Sequence, residues 1–174
     1  MKKLLFLSSL LSMAVFLFTA CGDSRPDDLP VTMNVSAEKS IRLLAGAGES
    51  RPQSITFTLD GNFSEVTRYK KWIKGNEALM TSSVEFTGLT DNGIELNNVY
   101  IKFRDKQFPL STTVITSDQK LTAESGPRVN FMQDIVNEIV ASNSATVQLE
   151  YVPTVDLDAN TTFKIKLDVR FSFN

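Results

Sequence analysis

One stretch decides the fold class of this chain: Phe163-Lys164-Ile165-Lys166-Leu167-Asp168-Val169-Arg170-Phe171-Ser172-Phe173. Its six apolar residues alternate with five polar ones, so all the apolar side chains fall on one side of an extended backbone. Strict alternation of this kind is the mark of a β-strand with one buried face. We therefore expect residues 163–173 to form a long strand that is central to the core.

Shorter alternating runs predict further strands earlier in the chain. They cover residues 31–35, 55–59 and 147–151. Pro153 should end the last of them, because proline cannot donate to a strand ladder. Residues 154–161 would then join 147–151 to 163–173 as a hairpin loop.

The dipeptide Asn92-Gly93 is the strongest local turn signal, because a type I′ turn needs two residues that tolerate positive φ. With these residues as a hairpin loop, the expected cross-strand pairs are Leu89 with Leu96, Phe86 with Val99 and Val84 with Ile101. The inward side changes between the first and second of these pairs. We therefore expect a bulge or twist around Gly88 and Asn97-Asn98.

A helix is predicted over residues 128–142, where apolar residues recur at helical spacing. Pro127 near the first turn and Asn143 just after the end suit the two termini. The apolar residues are Phe131, Met132, Ile135, Val136, Ile139 and Val140.

A second, shorter helix is predicted over residues 63–74. Asn62 and Glu65 suit a capping box, and Gly75 could close the end. One face would carry Phe63, Val66, Tyr69 and Ile73, although Lys70 falls on that face as well.

Strands therefore dominate, and they do not alternate with helices. This organisation predicts a mainly β domain, an antiparallel β-sandwich or partial barrel with one packed helix. We expect residues 31–174 to form this single domain.

The first twenty residues have the composition of a secretory signal peptide. Lys2 and Lys3 precede an apolar run from Leu4 to Phe18, and the small residues Thr19-Ala20 follow. The run is too short to cross a bilayer core of ~30 Å comfortably.

The end of this segment, Phe18-Thr19-Ala20-Cys21, resembles the lipobox of bacterial lipoproteins, with Phe18 in place of the usual leucine. That resemblance implies cleavage before Cys21, diacylglycerol on its thiol and a fatty acid such as palmitate on the new amino terminus. It covers only the first twenty-one residues. Residues 21–30 would then be the acylated cysteine and a polar tether, since they are too polar to fold alone.

Location is also indicated by resemblance. Lipoproteins kept in the inner membrane carry aspartate after the cysteine, whereas this chain has Gly22. Asp23, Asp27 and Asp28 resemble the signal that some Gram-negative lineages use for surface export, although a solvated linker has the same composition. We expect an outer-membrane or cell-surface location.

Composition argues against several functions. Without Lys2 and Lys3 the chain has 16 basic and 20 acidic residues, a net charge of −4, which disfavours nucleic acid as a partner. No histidine is present, and acylation would occupy Cys21, the only cysteine. We therefore predict no catalysis, no cofactor and no metal.

One segment resembles the start of a calcium loop, namely Asp156-Leu157-Asp158-Ala159-Asn160. The remainder of the loop does not match, because Thr161 and Leu167 stand where glycine and a bidentate glutamate belong. We predict an ordinary turn there, in which Asp and Asn bond their own backbone.

The candidate contact site is a basic cluster around the only tryptophan. Arg68, Lys70, Lys71 and Lys74 flank Trp72 and could contact lipid head groups or an acidic glycan, although a solvated surface has the same pattern.

The sequence thus predicts a lipid-anchored cell-envelope lipoprotein that acts as a binding or structural module. Its partner would be an envelope protein or a glycan, besides the membrane. The alternative is a carrier of a small apolar ligand held between the sheet and helix 128–142, which needs an apolar cavity of roughly 300 Å³.

Overall fold

The computed structural model describes residues 25–43, 51–61, 63–90, 93–157 and 160–174. Within these ranges the chain forms nine strands, two helices and one 3-10 turn. The strands are β1 (Thr32–Arg42), β2 (Gln53–Asp60), β3 (Ile73–Ala78), β4 (Ser83–Thr87), β5 (Leu96–Phe103), β6 (Lys106–Gln107), β7 (Gln119–Thr122), β8 (Ser144–Pro153) and β9 (Thr162–Phe173). The helices are α1 (Ser64–Thr67) and α2 (Gly126–Ser142), and the 3-10 turn is Lys70–Trp72.

The strands form two antiparallel sheets that pack face to face. The first sheet has the order β1-β9-β4-β7, with β3 also paired to β9, and the second has the order β2-β8-β5-β6. The inward residues of both sheets and of α2 make one hydrophobic core. The prediction of an antiparallel sandwich with a packed helix is confirmed, and the sheets do not close into a barrel.

β9 is the central strand of the first sheet, as its alternation predicted. β1 pairs with it along its whole length, from Thr32 opposite Ser172 to Arg42 opposite Thr162. On its other side β9 pairs with β3 near its end and with β4 near its start. Its six apolar residues are all buried: Phe163, Ile165, Leu167, Val169, Phe171 and Phe173.

α2 forms where the sequence predicted it and begins two residues earlier, at Gly126. Asn143 ends it with a φ of 66°, and the Asn143 N–H donates to the Ile139 carbonyl at 2.7 Å. Ile135 and Ile139 are buried, and the helix contacts β3 and β8. It therefore closes one side of the core.

The second predicted helix, over residues 63–74, is wrong in most of its length. α1 is a single turn, the 3-10 turn follows it, and β3 begins at Ile73. Ile73 pairs with Phe173, and Gly75 lies within β3 and does not end a helix. A helix this short gains little by itself, so pairing with the open side of β9 prevails. Asn62 lies outside the described residues.

The predicted Asn92-Gly93 hairpin is also wrong, because β4 and β5 belong to different sheets. Phe86 lies opposite Phe163, and the Val99 N–H donates to the Thr113 carbonyl at 2.9 Å. Both sides of β4 are occupied, by β9 and β7, which leaves no edge for β5. Asn92 itself lies outside the described residues.

The two predicted irregularities do occur. Gly88 has a φ of 81°, and Asn98 has a φ of 51° within a register shift of β5 between Asn97 and Tyr100. Gly88 turns the chain after β4 on its way to the second sheet, and the irregularity at Asn98 bends β5.

Residues 154–161 do not form the predicted hairpin loop. β8 belongs to the second sheet and β9 to the first, so the segment crosses between them. Leu157 and Thr161 are buried along this crossing. Alternation identified both strands, but it carries no information on which strand each one pairs with.

Candidate functional site at the tether end of the domain

The predicted basic cluster lies at one end of the sandwich, where aromatic residues fix it to β9. The Phe63 and Phe171 rings meet edge to face with centroids 5.4 Å apart, and the Tyr69 and Phe173 rings do so at 5.8 Å. Val66, which lies between Phe63 and Tyr69 in the sequence, is also buried. The turn that carries the basic residues is therefore held rigidly against the end of β9.

Trp72 lies at the point where the 3-10 turn becomes β3. Its backbone N–H donates to the Tyr69 carbonyl at 2.9 Å, and its backbone carbonyl accepts the Asn174 N–H at 3.0 Å. Its side chain is half-buried and packs against the core. Trp72 thus combines a fixed backbone with partial access to solvent.

The four basic residues around Trp72 have exposed side chains. Arg68 forms an ion pair with Asp28 at 2.9 Å, and its guanidinium lies 5.3 Å from the centroid of the Tyr69 ring. Lys70 donates to the side-chain oxygen of Asn143, at the end of α2, at 3.3 Å. Lys71 and Lys74 are the other two members.

The predicted tether meets the domain beside this cluster. Asp28 accepts a hydrogen bond from the Tyr69 hydroxyl at 3.2 Å, in addition to its ion pair with Arg68. Leu29 packs against the core, and Val31 accepts the Phe173 N–H at 3.1 Å. We call this part of the molecule, made of residues 26–31, 68–74 and 171–174, the tether end.

Asp28, which the sequence places in the polar tether, is bound to Arg68 of the basic cluster and to the adjacent Tyr69. Its partners, Arg68 and Tyr69, follow about forty residues later, 41 in the case of Tyr69. The turn signal of Pro26-Asp27 was present in the sequence, but a turn signal does not name a distant partner.

A second polar cluster surrounds Asp168, a buried carboxylate in β9. Burial raises the pKa of Asp168, but hydrogen bonds from Ser36, Lys166 and Thr81 together lower it by more. The net pKa is therefore below the ordinary value. The Lys166 ammonium lies 2.9 Å from the carboxylate. The carboxylate is thus held ionised by three donors, which is the arrangement of a structural ion pair.

A third carboxylate, Asp118, binds the backbone where the chain leaves β4. It accepts N–H groups of Leu89 at 2.7 Å, Thr90 at 3.1 Å and Gly88 at 3.1 Å. These donors lower the pKa of Asp118 below its ordinary value. The contact fixes the route of the chain from the first sheet to the second.

Metal ligands do not cluster in the described part of the chain. No group of three or more His, Cys, Asp or Glu residues there could hold an ion. Asp156 and Asn160 are exposed, and Asp158 lies outside the described ranges.

The space beside α2 is small. A cleft of about 40 Å³ separates α1 from the end of α2, and it is lined by Phe63, Val66, Ile73, Ile139, Val140 and Phe171 among others. Two hollows are wider, and the first of them lies between α2 and the turn from β5 to β6. One, of about 280 Å³, has the ion-paired Arg104, Lys106, Asp134 and Glu138 in its wall. The other, of about 570 Å³, lies along the second sheet near Tyr100 and Glu150.

Among the described residues, no helix has the length and apolarity that crossing a membrane requires. No protein-family model and no curated protein matches the sequence.

Among solved structures, one of Desmodium yellow mottle tymovirus is 11% identical with a TM-score of 0.35, and the match covers 87% of this chain and 90% of that one. One of Turnip yellow mosaic virus is 9% identical with a TM-score of 0.29, covering 88% and 87%. At these TM-scores the likeness carries no argument.

Proposed function

We propose that this protein is a lipid-anchored lipoprotein of the cell envelope, in the outer membrane or at the cell surface. Its β-sandwich acts as a binding or structural module without catalysis. The observation that carries the proposal is the position of Cys21, the only cysteine, directly after an apolar run with a basic start. A buried structural cysteine would have no reason to stand there.

The fold is compatible with an anchor at this position. The chain enters the sandwich through residues 26–31, which lie at the surface, and β1 starts the first sheet at its edge. Nothing in the core depends on residues before Leu29 among those described. The domain can therefore fold while its amino-terminal segment is attached to lipid.

A binding or structural role also agrees with the packed interior. The cleft beside α2 has about 40 Å³, whereas a carrier needs an apolar cavity of roughly 300 Å³. The hollow of about 280 Å³ on the other side of α2 has the ion pairs Arg104–Glu138 and Lys106–Asp134 in its wall, so it is not an apolar cavity. Neither space supports the carrier alternative. Recognition on the outside of the domain is the role that remains, and an envelope protein or a glycan is the expected partner.

Palmitate labelling of growing cells tests the anchor. Wild-type protein should be labelled and should fractionate with membranes, whereas Cys21→Ser should be unlabelled and released. Ser24→Ala, three residues away, is the matched control and should behave as the wild type. Persistent labelling of Cys21→Ser would contradict the proposal.

Location and partner need separate measurements. Protease added to intact cells should digest a surface-exposed domain and spare a periplasmic one. Crosslinking in intact cells, followed by identification of the joined molecule, tests the binding role. A purified protein that turned over a substrate would contradict the non-catalytic assignment.

A further inference from the structure

We propose that the tether end rests on the phosphate head groups of anionic phospholipids in the membrane that holds Cys21. Trp72 would lie at the level of the head groups, with Lys70, Lys71 and Lys74 against the phosphates. This inference rests on the proposed lipid anchor and adds an orientation and a second, non-covalent contact.

The first argument is the length of the tether. Asp28 is seven positions after Cys21, and an extended chain advances at most ~3.6 Å per residue, so the acylated cysteine lies within about 25 Å of Asp28. Asp28 in turn is bound to Arg68 at 2.9 Å and to Tyr69 at 3.2 Å. The lipid therefore begins close to the basic cluster.

The second argument is the length of the domain. β9 runs from Thr162 to Phe173, a distance of about 36 Å at ~3.3 Å per residue. Phe173 lies at the tether end, because it contacts Tyr69 and bonds to Val31. The opposite end of the sandwich is thus farther from the anchor than the tether can reach. The end that carries Trp72 is the one turned to the membrane.

The third argument is chemical complementarity. Lysine side chains next to an anionic bilayer are attracted to it, and tryptophan favours the interface because its ring is apolar with one polar N–H. Within the tether end Asp28 is occupied by Arg68 and Asp27 is the other acidic side chain, and Glu65 is an exposed acidic neighbour in α1. Lys70, Lys71 and Lys74 outnumber them. Lipid phosphate is therefore a better fit than an acidic protein surface, which the tether does not bring near.

Trp72 provides the measurement, because it is the only tryptophan in the chain. The acylated protein, purified from membranes, is incorporated into phosphatidylcholine vesicles with or without phosphatidylglycerol. A lipid that carries a spin label on its head group should quench Trp72 fluorescence in the vesicles with phosphatidylglycerol. Soluble acrylamide should quench it less there than in detergent.

A second measurement isolates the lysines. A chain of residues 22–174, expressed without the signal segment and Cys21, has no acyl anchor, and its sedimentation with phosphatidylglycerol vesicles reports the surface contact alone. Each lysine near such a surface strengthens binding about fivefold, so Lys71→Gln with Lys74→Gln should weaken it about 25-fold at low salt. Lys39→Gln with Lys120→Gln is the matched control. Those lysines are exposed on β1 and β7, and the control should leave binding unchanged.

Two results separate this inference from the proposed function. If the wild-type protein does not move with vesicles in a flotation gradient, the lipid anchor is wrong and the proposed orientation is wrong as well. If the protein floats but the head-group label leaves Trp72 unquenched, the orientation alone is wrong. Protection of Trp72 by a soluble acidic polysaccharide and not by lipid would also overturn the inference in favour of a glycan site.

Discussion

The two sides of β9 are built differently. On one side β1 pairs with it without interruption from Thr32 to Arg42. On the other side β3 and β4 share it, and residues 79–82 leave the sheet between them, opposite Leu167 and Asp168. The first side is held by a regular ladder of backbone hydrogen bonds, whereas the second needs other partners at the gap.

Those partners are supplied by the turn itself. The Asp168 carbonyl accepts the Leu79 N–H at 2.7 Å, and the Asp168 N–H donates to the Ser82 hydroxyl at 3.0 Å. Buried backbone groups left without partners are costly, so two residues of the turn replace the missing strand. Asp168 also joins the two sides, because its carboxylate accepts the Ser36 hydroxyl from β1. The backbone hydrogen bonds of β9 are therefore satisfied even where its neighbouring strand is interrupted, but at that point they depend on individual residues of the turn.

Deleting residues 168–174 removes the half of β9 that pairs with β1 on one side and with β3 on the other. This change should have the largest effect. Val169, Phe171 and Phe173 are buried, and each contributes roughly 1.5–3 kcal/mol. Their sum rivals the ~5–15 kcal/mol stability of a domain. Expression without the signal segment should yield little soluble protein, whereas deletion of Asn174 alone should be tolerated. A truncated chain that stayed monomeric and melted near the full-length temperature would show that β9 is not essential.

α2 covers the divided side, since it contacts β3. Ile135 is fully buried, so Ile135→Ala should lower the free energy of unfolding by about 2–5 kcal/mol. Asn137→Ala, on the exposed face, should have a small effect, because its side chain only accepts a hydrogen bond from Gln133. Urea denaturation measures both. Equal small losses would mean that α2 is not docked on the sheet.

The turn should matter more than the ladder at Asp168. Ser82→Ala leaves the buried Asp168 N–H without its partner and should cost about 1–3 kcal/mol. Ser36→Ala, on the β1 side, should cost less, because the Asp168 carboxylate keeps Lys166 and Thr81. Thermal melting of the two variants compares the sides directly. A larger loss for Ser36→Ala would reverse the comparison.

The smallest effect is expected at Asp118, which fixes the exit from β4. Asp118→Ala removes an exposed carboxylate that acts like a helix N-cap, so the loss should be below about 1 kcal/mol after screening by water. Its folded pKa lies below the ordinary value of 3.8, so the carboxylate stabilises the fold above that pH. The contribution is lost as the pH falls through the lower, folded value. Wild type and variant should therefore differ at neutral pH and converge in strong acid; a difference that grew in acid would contradict this.

The sequence predicted those elements in which a pattern is long. β9 has six alternating apolar positions and α2 has four turns of one apolar face, so competing structures would expose a wide apolar surface. The pattern over 63–74 spans fewer turns, and the open side of β9 draws residues 73–78 into the sheet. Local signals at Gly88 and Asn98 also held, because a positive φ is a property of the residue and its turn.

Pairing between distant strands could not be predicted. The Asn92-Gly93 signal favours pairing between segments that are adjacent in sequence. In the structure both edges of β4 are paired instead with β7 and β9, which come later in the chain. The candidate site followed the same rule. Its basic residues lie within seven positions, so the sequence shows them as a cluster, whereas the contact of this cluster with Asp28, about forty positions away, was not predicted.

The pairing of β1 with β9 also sets an order of events in time. The Ser36–Asp168 contact joins residues 132 positions apart, and β9 is the one strand that pairs with β1 in the described part of the chain, so β1 stays unpaired until β9 has been synthesised. Folds dominated by such distant contacts form slowly, because loop closure must precede the contacts that reward it. For the export that we propose from the signal-like segment, this delay would be useful. The chain would stay extended during translocation, and the sandwich would close afterwards.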